Sequence, residues 1–349
     1  MKKLQDTEYM YGTTRVRALE NRIPGTDRMN LLCDAKSVGE VMNRLGDCGI
    51  TLPEEDAHNT SPEAVSRRRE EMLMRLLRTA FHDVEESVPD PAVFSWMRYP
   101  YDCNNIKMAL KCAQRAISPE ETAGMMFDFG TVPAETVMEA VRAGSYDALP
   151  AAFAEGARKA SEAFLETGDP RRIDAFLDRA CFLSMSEAAA DTGEPALIRW
   201  MQAKADLLNA VITLRMIRMR RGEMGRLFLE DTLLPGGTLA PAFFLDLCGG
   251  GEDKLWAALG ANGMPDYLQS FVRRAGKTDS GPAAVEKALD DSWLEVVRRD
   301  AKTPFGAAVP AGYICGWETA VKNIRIVLAA KEAGLSGATV RERVRDSYV

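Results

Sequence analysis

The residues best suited to chemistry lie in PYDCNNIKMALK, Pro100 to Lys111, where Asp102, Asn104, Asn105 and Lys107 fall within six positions. On a helix, Asp102 and Asn105 share one face. An acid, an amide and a cation so placed could form a catalytic cluster, a metal or phosphate site, or an internal tie. A second concentration of carboxylates, Asp290, Asp291 and Glu295, sits in LDDSWLE. An all-helical enzyme that binds diphosphate through magnesium would need a fuller acidic motif and a second one opposite, and Leu289, Trp293 and Val296 make an amphipathic helix the better reading. AGKT, Ala275 to Thr278, resembles the end of a phosphate loop, but Phe271 stands where the motif needs glycine and no strand precedes it. The glycines of CGGGED read as a turn. The two histidines are His58 and His82. His82 and Glu86 share a helical face but lack a third ligand, so a solvated helix end is expected. The run LRMIRMRRGEMGR carries Arg215, Arg218, Arg220, Arg221 and Arg226 in an otherwise acidic chain. It reads either as a solvated helix face or as a docking patch for an acidic partner, with Arg215, Arg218, Arg220 and Arg221 as the candidate contacts.

The elements that must position these groups are helices. SPEAVSRRREEMLMRLLRTAF, AVEKALDDSWLEVVRR and ETAVKNIRIVLAAKEAG carry apolar residues at three- and four-residue spacing, and sustained strand-type alternation is missing. The spacing predicts an all-α chain. Helix-start signals then expose a repeat. Ser61-Pro62, Asp169-Pro170 and the looser Ser280-Gly281-Pro282 recur at a period of about 110 residues, too long for the short solenoid repeats. Each is followed by a second proline, Pro91 in PAVFSW, Pro195 in PALIRW and Pro310 in PAGYIC. Trp96 and Trp200 lie five residues beyond theirs, where the third copy has Cys315. Asn105, Asn209 and Asn323 follow these prolines by 14, 14 and 13 residues. An acid precedes the asparagine by three positions in two copies, Asp102 and Asp206, and Ala320 holds that place in the third. Pro100 interrupts the first copy and predicts a kink there. The segmentation expected is three homologous helical units, 1–145, 146–250 and 251–349.

Each asparagine shares its helix face with apolar neighbours: Met108 and Cys112, Ile212 and Met216, Ile326 and Ala330. A buried amide needs hydrogen-bond partners, because leaving a polar group unpaired costs about 1–3 kcal/mol. The expected role is an internal tie within each unit, since a reaction centre would not recur three times in one chain.

Bulk composition narrows the function classes. Of 349 residues 46% are hydrophobic and 27% charged, with a net charge of −7. That acidity disfavours nucleic acid and anionic lipid as partners. The seven cysteines form no CxxC pair, which suits a reducing compartment. The N-terminal segment has no apolar signal core, and no apolar run approaches the ~18 residues of a membrane span. No catalytic, cofactor-binding or metal-ligating set is assigned.

YGTTRVRALENRI, DCNNIKMALK, IDAFLDRACF, WMQAKADLLNAVITLR and, most specifically, VPAGYICGWETAVKNIRIVLAAKEAGLSGATVRERVRDSYV together resemble the C subunit of the V-type (A-type) ATPase/synthase, the counterpart of the eukaryotic d subunit. The resemblance spans nearly the whole chain and departs at Ala320, where the family often has a second acid. It implies three similar helical units arranged as a funnel on the cytoplasmic face of the proteolipid rotor ring. The open end would receive the tip of the central shaft, and the protein would carry no catalytic residues or cofactor of its own. The alternatives are an unrelated helical scaffold and a magnesium enzyme built on Asp290 and Asp291.

Overall fold

The computed structural model describes residues 4–53, 61–219, 222–276 and 280–349. Every regular element among them is helical, as the periodicity predicts. In chain order the α-helices are α1 (Met10–Leu19), α2 (Thr26–Asp34), α3 (Val38–Gly46), α4 (Pro62–Glu85), α5 (Tyr99–Gln114), α6 (Pro119–Ala123), α7 (Ala134–Ala143), α8 (Ala151–Thr167), α9 (Arg171–Thr192), α10 (Pro195–Met219), α11 (Gly222–Thr232), α12 (Pro241–Cys248), α13 (Gly251–Leu259), α14 (Asp266–Ala275), α15 (Pro282–Asp300), α16 (Ala308–Glu332) and α17 (Gly337–Arg341). Pro91–Arg98 is a 3₁₀ helix.

The landmark prolines sit where a missing N–H does no harm. Pro62 opens α4 behind Ser61, whose hydroxyl accepts the Ala64 N–H. Pro282 and Pro195 are the first residues of α15 and α10, and Pro310 lies in the first turn of α16. Pro91 begins the 3₁₀ segment. Pro100 also falls in a first turn, that of α5, so the expected kink is instead a change of winding at Arg98.

The chain forms two compact units. One comprises residues 92–272. In it α9 packs against α5, α8, α10 and α11, and α10 also packs against α12 and α13. α8 approaches α9 closely because Gly156 faces Ala180, and a Cβ on Gly156 would overlap the Ala180 methyl. The other comprises residues 4–91 and 273–349. Its centre is α16, which packs against α1, α2, α3, α4, α15 and α17 and is buried along most of its length. The chain passes from one unit to the other twice, at the start of the 3₁₀ segment and within α14.

Candidate functional site

The three asparagines are buried and engaged in the same way. Asn105, on α5, donates its Nδ2 to the Phe127 carbonyl and accepts the Phe127 N–H at Oδ1, both at 2.8 Å. Asn209, on α10, makes the same pair with the backbone of Leu234, at 2.9 and 2.8 Å. Asn323, on α16, does so with Arg345, at 3.1 and 2.8 Å. An amide side chain carries a donor and an acceptor side by side and so satisfies one residue's backbone N–H and C=O together. Each asparagine thus holds a loop that returns to its helix 22 to 25 residues later.

In two copies an acid extends the tie. Asp102 accepts the N–H groups of Thr131 and Val132 at 2.8 and 3.0 Å and the Thr131 hydroxyl at 2.6 Å. Asp206 accepts the N–H groups of Thr238 and Leu239 at 3.0 and 3.1 Å and the Tyr267 hydroxyl at 2.7 Å. Both acids are fully buried. Burial pushes both carboxyls up from the ordinary range, against the donated bonds, which pull them down. Burial and the neighbouring Asp206 raise the Tyr267 hydroxyl as well. The loops reach the acids through glycine: a Cβ on Gly130 or Gly237 would overlap the carboxylate of Asp102 or Asp206.

Sequence reasoning missed these loop residues, although they carry a signal. Phe127 and Leu234 are each followed three positions later by Gly-Thr, as Gly130-Thr131 and Gly237-Thr238. In the third copy that position holds Tyr348, opposite the change of acid to Ala320. The Tyr348 ring lies against Gly312 and Gly316 of α16, where a Cβ would overlap it, and its hydroxyl donates to Glu20 at 3.2 Å.

The carboxylates of LDDSWLE hold the segment that carries Arg345. Asp291 is almost fully buried and accepts the Asp346 N–H and the Lys287 ammonium, both at 2.7 Å, with Arg274 at 3.7 Å. Asp290 accepts from the Arg345 guanidinium at 2.8 Å and pairs with Lys322. Among the described residues no three His, Cys, Asp or Glu side chains are grouped to hold a metal ion. His82 and Glu86 are exposed at the C-terminal end of α4. His58, Lys277 and Thr278 lie outside the described residues.

The arginine run is only partly available. Arg215 is exposed on α10. Arg218 makes a two-pronged bond with Glu252, at 3.0 and 2.9 Å. Arg226 lies 3.8 Å from Glu230, and Arg220 and Arg221 lie outside the described residues. No helix among the described residues is long and apolar enough to cross a membrane.

What recurs is a clamp in which one buried amide holds one residue's backbone. The family model described as ATP synthase (C/AC39) subunit matches residues 13–343. The C subunit of the A-type ATP synthase of Methanothermobacter thermautotrophicus is 25% identical over 96% of this chain and 87% of its own length. Its namesake from Methanocaldococcus jannaschii is 22% identical over 95% and 85%. The C subunit of the V-type sodium ATPase of Enterococcus hirae is 22% identical over 77% and 79%.

Proposed function

Because this chain belongs to the ATP synthase (C/AC39) subunit family, and is thus one of the subunits of an A/V-type ATP synthase, we propose that it is the non-catalytic adaptor of the central stalk. In this reading three kindred helical units form a funnel seated on the cytoplasmic face of the membrane rotor ring, and the funnel receives the central shaft. Ion passage turns the ring, the adaptor turns with it, and ATP chemistry proceeds elsewhere. The observation that carries the reading is the family match along residues 13–343.

The physical requirement is stiffness. A torque-bearing body must not deform before its partner moves, and close-packed helices with internally satisfied polar groups have low compliance. The three asparagine ties support this, since each pins a loop that would otherwise move independently of its helix.

The test is recovery from membranes through an affinity tag on this chain. Ring and shaft subunits are expected in fixed proportion to it, and depletion of the chain is expected to leave ATP hydrolysis running while ion transport stops. Recovery of the chain without ring or shaft would overturn the proposal in favour of an unrelated scaffold. The arginine run is the proposed contact for an acidic partner surface. Charge reversal at Arg218, Arg220 and Arg221 is expected to abolish assembly, with Glu252→Arg added to restore the internal pair that reversal of Arg218 breaks. Unchanged assembly would remove this patch from the account.

A further inference from the structure

The second unit contains a cavity of about 230 Å³ between α2, α15, α17 and the segment that follows α17. Its wall is unusual in this acidic protein, because Lys287, Arg298, Arg341 and Arg345 all line it, against a single carboxylate, Asp346. Three of the cations are committed. Lys287 bonds Asp291 and the Val344 carbonyl, Arg345 bonds Asp290 and the Arg343 carbonyl, and Arg341 pairs with Asp34. Asp346 is itself paired with Arg274 at 3.2 Å, with Lys287 at 3.9 Å. Arg298 has no ion pair among the described residues and is exposed. Ser347 also lines the cavity. It is 8% exposed, and its hydroxyl, which makes no hydrogen bond to the described residues, remains open to the cavity.

These observations converge on an anion. A guanidinium without a partner supplies charge and up to five N–H donors in a fixed fork. A hydroxyl left open at the cavity wall adds a further donor for an anion's oxygen. The flanking cations are held in place by their carboxylates. The volume lies below that of pockets for drug-sized ligands, about 300–1,000 Å³, which favours a small tetrahedral anion over a nucleoside. We infer that this cavity binds an inorganic oxyanion of the phosphate class, gripped by Arg298 and Ser347. The site lies apart from the asparagine clamps and does not depend on the adaptor reading.

The experiment is titration calorimetry on the whole chain in phosphate-free buffer, with inorganic phosphate, and with ADP and ATP as separate arms. Saturable phosphate binding is expected. Charge-assisted hydrogen bonds contribute about 1.5–3 kcal/mol, so Arg298→Ala should weaken binding by about tenfold or more. Ser347→Ala should weaken it several-fold, and Arg142→Ala, at an exposed site on α7 in the other unit, should leave it unchanged. Arg298 is exposed, so its variant is expected to keep the wild-type melting temperature in phosphate-free buffer. No saturable binding, or binding that Arg298→Ala leaves intact, would overturn the inference. Binding of ADP or ATP without binding of inorganic phosphate would overturn the assignment to a free anion.

Discussion

The loops of the first unit and the final segment of the second are held by the same amide and by different charges. At Asn105 and Asn209 the support is a buried carboxylate on the same helix, three residues earlier, satisfied by backbone N–H groups and hydroxyls. At Asn323 that position is Ala320, and the carboxylates come from another helix, Asp290 and Asp291 on α15, which bring Lys287, Arg274 and Lys322 with them. The difference separates what the clamp requires from what assists it. The asparagine and its paired bonds to one residue's backbone are common to all three. The acid is an addition with a burial penalty, acceptable where neutral donors converge on it.

The largest effect should come from removing that acid. Asp206→Ala would leave two N–H groups and the Tyr267 hydroxyl without their acceptor, at about 1–3 kcal/mol each before relaxation. A net loss of about 4 kcal/mol in urea unfolding is expected, with a similar loss for Asp102→Ala. Gly237→Ala should act in the same direction by displacing the carboxylate. A loss below about 1 kcal/mol for Asp206→Ala would reduce the acid to decoration.

Next in size are the asparagines. Asn105→Ala, Asn209→Ala and Asn323→Ala each orphan one buried N–H and one carbonyl, and about 3 kcal/mol is expected for each. Three similar losses would sharpen the comparison. A near-neutral Asn323→Ala would break it, by showing that Asp290 and Asp291 hold the last segment alone.

Ala320→Asp asks whether an acid can be transplanted. Ala320 is buried, and Tyr348 stands where the other loops have the glycine before their N–H donors. The new carboxylate would meet no such donors and should destabilise by about 2 kcal/mol. A stabilised variant would mean that the donors are present after all.

The smallest effect is a slope with pH. The folded-state carboxyl of Asp206 is raised by burial. Between the ordinary carboxylate range and that raised value, the folded protein binds more protons than the unfolded chain, so this site loses stability as pH rises through the window. Asp206→Asn cannot titrate. The stability gap between wild type and Asp206→Asn should therefore narrow as pH rises, measured by urea midpoints at several pH values. A gap that widens would contradict the burial argument.

Much of the scaffold was legible from spacing alone. Apolar periodicity and the Ser-Pro and Gly-Pro starts mark α4 and α15, and an amide 13 or 14 residues beyond a proline marks α5, α10 and α16. The partners of those amides were not legible. Phe127, Leu234 and Arg345 share no side-chain chemistry, because the contact is made by backbone, and backbone leaves no trace in residue type. Gly130-Thr131 and Gly237-Thr238 were the available clue, in loops whose lengths differ. The compact units were hidden for another reason. α4 packs against α16, more than 200 residues later in sequence, and local patterning carries no record of so distant a neighbour. The partners of the LDDSWLE acids were not legible either, because apart from Lys287 on α15 itself they come from α14, from α16 and from beyond α17.

The clamp is tested most directly by native-state hydrogen exchange at the backbone amides of Phe127, Leu234 and Arg345, each of which donates to an asparagine Oδ1. All three should exchange as slowly as the helix cores, and each Asn→Ala substitution should speed exchange at its own partner amide by orders of magnitude while leaving the other two slow. Rapid exchange of these amides in the unaltered protein, at rates typical of open loops, would contradict the account.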